Sequence, residues 1–498
     1  MNAFLMPRIQ QHSLMNADVK KYLLRFVAVL GFLIVSIVPT QAQGIEASST
    51  SGVAPHAVRF FPTSYTWQQL EEYDFEWNLG DGARANGFMA GHIFSRSTTV
   101  TLTVTELTGR SRSFSIRIDV RPTSEFYAGR QTVCVSPDED FTGAPIGSEL
   151  RTERNIRRIS FEANKRYLFK RGGVWELSSS LMLPENMMLS GFGAATAPRP
   201  RIRFSGTAES TMFVPQQGVK VEDVSLEGAE WLESSCGGVC RAWGEGRCFA
   251  VASNLLIRNV EVARMTTFLE GSEGTRAHNI FLDSIRLQQC GSYAVFAPMS
   301  GLNNLTVRNS TFRTIFSQHG VRINGGERFL MHNCTVDSVG GSQVTLRGVR
   351  YALVQDSRFL GEGLYKTTIF PVSAPNATDS VTNVVFERNL YERQIGAEFR
   401  HGRHITVRNN VFLNARFIIS GTEFGSPQNV RVYHNTMLSQ AMEGQLNFRE
   451  GATVLFQNNI VQALSCTNDP ATRVFCLDEN PYSYYSSENP RTLSIRTC

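Results

Sequence analysis

Four arginines, Arg322, Arg347, Arg400 and Arg449, stand in or two residues before one slot of a repeating segment, and Glu398, Glu423 and Asn447 share that earlier position. Read against the repeats, the slot holds Asn324, Arg347, Asp379, Arg400, Gly425 and Arg449, and the position two earlier holds Arg322, Thr345, Ala377, Glu398, Glu423 and Asn447. Ile323, Leu346, Phe399 and Phe448 lie between them. That alternation sends the polar residues outward and the apolar ones inward. With successive strands ~4.8 Å apart, the arginines and carboxylates share one outer surface. Guanidinium groups make paired hydrogen bonds to carboxylates, the group a uronic acid carries. β-Elimination from a uronate polymer needs that carboxylate neutralised and a base beside the neighbouring proton. Arginines or calcium can do the first; Lys366, Tyr365 or His401 can do the second. His319, at the start of the Arg322 strand, is a further contact candidate. The structural alternatives are an ordinary polar strand face, a solvated Lys366 and a turn-capping His401.

The elements that must position these residues come from one phrase recurring from residue 254. It reads NLLIRNVEV at 254, NIFLDSIRL at 279, NLTVRNSTF at 304, RFLMHNCTV at 328 and YALVQDSRF at 351, then NVVFERNLY at 383, HITVRNNVF at 404, NVRVYHNTM at 429 and TVLFQNNIV at 453. The spacings are 25, 25, 24, 23, 32, 21, 25 and 24 residues. Strand, Asn-rich turn and strand at this period make one coil of a parallel β-helix, whose coils bury their inner faces only by stacking. Asparagine after the first strand tolerates left-handed backbone and can bond its counterparts above and below. A leucine-rich horseshoe fails, because the fixed leucine pattern is missing and each repeat carries more than one strand. Upstream, TVCVSPDED from Thr132, YLFKRGGVWEL from Tyr167 and LMLPENMMLSGFG from Leu181 resemble the opening coils of secreted β-helix carbohydrate enzymes. The β-helix is therefore placed at 130–464, interrupted by a loop from Glu230 to Phe249 and followed at 465–498 by an irregular tail or cap.

Before it, YDFEW from Tyr73, NLGDG from Asn78, His92-Ile93-Phe94 and VTLTVTE from Val100 follow in order. Val100, Leu102 and Val104 alternate with threonines, Asp81-Gly82 marks a turn, and Trp77 is large enough to anchor a small core. These motifs resemble the PKD family over residues 52–121, which implies an accessory β-sandwich, a spacer or carbohydrate-contact unit, with His92 structural. Residues 43–51 read as a Ser-rich linker. Residues 1–42 read as a secretory signal peptide, with Lys20, Lys21 and Arg25 ahead of an apolar run from Phe26 to Val38 that is short for a membrane span.

Removing the four basic residues and one acid before Gln43 takes the formal charge from +5 to +2, so attraction for an acidic ligand must be local. Of nine cysteines, Cys236, Cys240 and Cys248, and Cys466, Cys476 and Cys498, form close sets able to staple loops, whereas Cys290 and Cys334 fall in β-periodic segments and suit buried thiols. No nearby histidine completes a zinc site at the first set.

Finally, Phe399-Arg400-His401-Gly402, followed by ITVRNNVFLN, resembles the Arg-His-Gly segment of the chondroitinase B and alginate lyase family, calcium-assisted β-helix lyases. The resemblance implies that Arg400 assists catalysis and that calcium is a cofactor. The family's base is a lysine one coil earlier, where this chain has Asp379, its nearest lysine being Lys366; the metal ligands are not identified. The expectation is an all-β chain, a PKD-like β-sandwich followed by a right-handed parallel β-helix. Its expected function is that of a secreted (periplasmic, cell-surface or extracellular) monomeric lyase of an acidic polysaccharide. A glycoside hydrolase or C5 epimerase on the same scaffold, and a noncatalytic glycan-binding adhesion protein, are the alternatives. Neither nucleic acid nor a transmembrane segment enters the reading.

Overall fold

The first strand of each phrase ends at a corner where the backbone turns left-handed. Asn259, Ser284, Asn309, Asn333, Asp356, Arg388, Asn409, His434 and Asn458 all have φ between 52 and 57°. Short polar side chains adopt this conformation at lower cost than most, which is why asparagine recurs there. Between these corners Asn333 donates to Asn309 at 2.8 Å and Asn458 lies 3.3 Å from His434; a like ladder joins the first residues of three phrases, Asn279 donating to Asn254 at 2.9 Å and Asn304 to Asn279 at 2.8 Å. A second ladder points inward. Asn410 donates through its amide to Phe386 O and Arg408 O, and Asn435 Oδ1 accepts from the Asn410 backbone at 2.9 Å.

The computed structural model describes residues 44–207, 210–228, 246–272, 274, 276–297, 301–361, 368–372, 381–392, 396–415, 417–420, 426–439, 446–448, 453–463 and 493–496. From Thr132–Ser136 onward the strands pair in parallel with their counterparts in neighbouring coils, building a right-handed β-helix. Its core is a continuous column of buried side chains, with ring stacks such as Phe359, Tyr391 and Phe412 at 5.0 and 4.6 Å. Two boundaries differ from expectation. The end of the expected loop, Arg247–Ala250, is a strand whose Cys248 and Phe249 are buried. In the tail, Leu493–Arg496 adds a parallel strand to Val454–Gln457. Cys134, Cys248, Cys290 and Cys334 are free buried thiols. Cys248 is thus a core residue and not a loop staple; Cys236, Cys240, Cys466, Cys476 and Cys498, like the signal segment 1–42, lie outside the described residues. Among the described residues no helix is long and apolar enough to cross a membrane.

The N-terminal unit is a sandwich of two sheets. One holds Ile45–Ala47, His56–Pro62 and Ala90–Phe94; the other holds Ser51–Val53, Ser111–Arg121, Thr98–Thr105, Asp74–Asn78 and Arg84–Asn86. Trp77 is 1% exposed between them, its indole N–H donating to Gly87 O at 2.9 Å, and Val100, Leu102 and Val104 are buried as their alternation requires. His92 Nε2 lies 2.7 Å from Asp81 and so serves the turn. The stretch read as a linker belongs to the sandwich, because Ile45 pairs with Pro62 and Ala47 with Phe60.

The sandwich is also not a tethered spacer. Phe281, Thr306, Leu330, Leu353, Val385, Thr406 and Arg431 form one outward row on successive coils. Leu330, Leu353 and Val385 pack into the sandwich core, and Tyr351 meets Phe61 with ring centroids 5.4 Å apart. A Cβ on Gly91 would stand 2.9 Å from Thr306 and 3.1 Å from Phe281, so only glycine lets the sheets approach this closely. Polar contacts frame the patch: Glu71, 3% exposed, bonds Thr406 and Arg431, Glu72 meets Arg431 at 2.9 Å, and Arg308 donates to Gly91 O at 2.7 Å. Leu353→Ala should therefore cost about 2–5 kcal/mol in urea unfolding, as for a core leucine. A loss under about 0.5 kcal/mol, the size of a surface change, would contradict the docking.

Candidate functional site

Opposite rules govern the row that carries the arginines. Ile323, Leu346, Val372, Phe399, Ile419 and Phe448 pair in sequence from coil to coil, and Ile323, Leu346, Phe399 and Ile419 are buried. The positions that flank them are Asn324, Arg347, Arg400 and Ser420 on one side, and Arg322, Thr345, Glu398, Ile418 and Asn447 on the other. Arg347 and Arg400 thus occupy one row two coils apart, as the repeats predict. Two members do not. Strands Thr368–Val372 and Phe417–Ser420 end well before the next phrase, so counting back from the phrase lands beyond the strand. Asp379, Ala377, Gly425 and Glu423 lie outside the described residues, and Ser420 and Ile418 take the places expected for the last two. Glu398 consequently has Ile418, not Glu423, as its neighbour. Lys366, Tyr365 and Arg449 lie outside the described residues, while Glu398, Arg400 and Asn447 are placed by their strands alone. His401 stands at the corner after Arg400 with φ 46°, its Nδ1 buried without a hydrogen-bond partner among the described residues. Burial first, then Arg403, holds its ring below the usual histidine range.

The described part of the face centres on residues that sequence reasoning passed over. Tyr293 and Phe296, three residues apart on one coil, stack at 4.3 Å with planes 12° apart. On the next coil His319 and Arg322 repeat that spacing. His319 stacks on Tyr293 at 5.9 Å, and the Arg322 guanidinium lies 5.6 Å from the Phe296 centroid. Ser342 and Thr345 repeat it again. Arg322 Nη1 reaches the Tyr293 hydroxyl and Nε the Asn324 Oδ1, each at 3.5 Å, and among the described residues it makes no salt bridge. This is unusual here, because neighbours such as Arg247, Arg308, Arg388 and Arg408 all face carboxylates. The Tyr293 hydroxyl in turn donates to Gln318 at 3.3 Å.

His319 Nδ1 accepts the Ser342 backbone N–H at 3.2 Å and lies 3.2 Å from Thr345 Oγ1. An accepting Nδ1 puts the ring proton on Nε2. Burial, followed by the charges of Arg322 and Arg347, pushes its pKa down to about 3. Burial also raises the Tyr293 phenol, against the pull of Arg322. Both groups are therefore neutral near pH 7. The signal that could have found the pair is the parallel spacing of Tyr293-Ala294-Val295-Phe296 and His319-Gly320-Val321-Arg322.

A family model described as right handed beta helix region matches residues 268–461. No curated protein matches the sequence. Similar solved structures include a GH136 lacto-N-biosidase from Eubacterium ramulus, 12% identical over 67% of this chain and 68% of that one, with a TM-score of 0.45. The A-module of a mannuronan C-5 epimerase from Azotobacter vinelandii is 13% identical over 64% and 97%, with a TM-score of 0.42. The surface adhesin PfbA of Streptococcus pneumoniae is 12% identical over 61% and 88%, with a TM-score of 0.35. These likenesses are of fold.

A histidine whose folded pKa of about 3 lies under its usual 6.5 binds fewer protons folded than unfolded in that interval. It therefore contributes stability above pH 6.5 that is lost as pH falls toward 3. Acid unfolding curves should show His319→Gln losing less stability than the parent chain across this window. Equal losses would contradict the neutral ring.

Proposed function

We propose that this chain is an exported polysaccharide lyase that grips an acidic glycan along the strand face whose two neighbouring rows carry Arg322 on one and Arg347 and Arg400 on the other. One observation carries the reading. Arg322 is held by a ring face, a hydroxyl and an amide, with no carboxylate among the described residues within ion-pair distance. Its charge is positioned and, among the described residues, uncompensated, which suits a ligand that brings its own carboxylate. In β-elimination that carboxylate must be neutralised while a base removes the adjacent proton. The C–O bond to the leaving sugar then breaks, leaving a double bond, and its oxygen takes up a proton.

Arg322 and Arg347 supply the neutralising charge, and Arg400 extends it toward the far coils. His401 is the described candidate for the base, its ring kept unprotonated by burial; Lys366 and Tyr365 are the others. Hydrolysis would call on two facing carboxylates, and the register neighbour of Glu398 is Ile418. Among the described residues no three His, Cys, Asp or Glu gather as a metal site.

Incubation with alginate, pectate and chondroitin, with and without calcium, should release products bearing the ultraviolet absorbance of an unsaturated uronate. Arg322→Gln should lower kcat/KM by about 10- to 100-fold, the worth of a charged hydrogen bond. Absence of product on every polymer would leave a glycan-binding role and sink the lyase.

A further inference from the structure

Arg322 brings a charge and His319 a ring with two nitrogens. Their placement makes them a unit. Tyr293 and Phe296 stack on each other at 4.3 Å, and the next coil sets His319 on the first ring and Arg322 on the second. The two donors therefore stand side by side on one rigid aromatic base, at the same three-residue spacing as the rings beneath them. His319 cannot rotate freely, because Nδ1 is engaged by Ser342 N–H and lies beside Thr345 Oγ1. Nε2 makes no hydrogen bond to any described residue. The chain thus holds, next to an arginine with no acidic partner among the described residues, a fixed N–H that carries no charge.

Resting on the acidic-glycan reading above, we propose that Arg322 and His319 Nε2–H together form the subsite that receives a uronate carboxylate, Arg322 binding it as a cation and His319 as a neutral hydrogen-bond donor. The division suits a glycan-cleaving face. Two cations on one carboxylate would bind the ground state tightly, whereas one cation and one neutral donor can strengthen together as charge builds on that carboxylate during proton removal. His319 is accordingly a binding residue and not the base. Its Nδ1 is occupied, and its Nε2 already carries the proton. Tyr293 acts through it, as a positioning residue that keeps the imidazole plane parallel to its own.

Calorimetry on the full chain with trigalacturonate and an alginate trisaccharide, each beside its carboxyl-reduced neutral counterpart, tests this. His319→Phe keeps a ring to stack on Tyr293 but no donor, and His319→Gln keeps an N–H donor. The Phe variant should lose about tenfold in affinity for the uronate sugar and nothing for the reduced one, and the Gln variant should recover most of the loss. A readout that needs no variant is ring NMR of the parent chain, where the Nε2 proton should shift with the uronate sugar and not with its reduced form. A Phe variant that binds the uronate sugar as tightly as the parent, or an unmoved Nε2 proton under saturating sugar, would overturn the subsite while leaving the acidic-glycan reading intact. A parent chain that binds neither uronate sugar would overturn both.

Discussion

Everything on the surface of this protein is placed by the lateral register of its coils, and that register is held at the corners. A left-handed residue ends the first strand of each phrase, and the inward amides after it bond from coil to coil, as Asn389, Asn410, Asn435 and Asn459 do. Those amides sit among buried apolar groups, where an unmade hydrogen bond would cost about 1–3 kcal/mol. A slip of one residue would leave them unpaired and would turn every inward side chain outward. The ladder therefore fixes which residue of one coil stands over which residue of the next.

Two outward faces follow from this single register. Strands Val321–His332 and Val344–Gln355 each run through both of them. The first carries Arg322 near its start and Leu330 near its end, bending at Gly326, where a Cβ would fall 2.1 Å from Leu302 O. The second carries Leu353 opposite Leu330, and Arg347 two residues beyond the position opposite Arg322. The far ends are covered by the sandwich, and the near ends display the arginines. Docking of the N-terminal unit thus stiffens the strands whose other halves present the site.

Much of this was legible in the sequence. The phrase and its spacing give the coils, the asparagines give the corners, and the Trp77 and Val100 motifs give the sandwich. What escaped did so for identifiable reasons. Rows counted back from each phrase hold only where the strand runs straight into it, which fails after Val372 and Ser420. The same interruption hid Phe296, since its strand ends at Ala297, before the phrase at 304. The docking of the sandwich was written in runs such as FLM at 329, ALV at 352 and VVF at 384, whose middle residue has no reason to be apolar on an open face. Those runs read as generic strand until something is seen to cover them.

The central claim is that Arg322 awaits a carboxylate brought by the ligand. A crystal structure of the chain with a bound uronate oligosaccharide tests it most directly. The account predicts a sugar carboxylate against the Arg322 guanidinium, with the glycan crossing the coils toward Arg347. Sugar bound on the sandwich, or on the β-helix with its carboxylates turned away from Arg322, would contradict it.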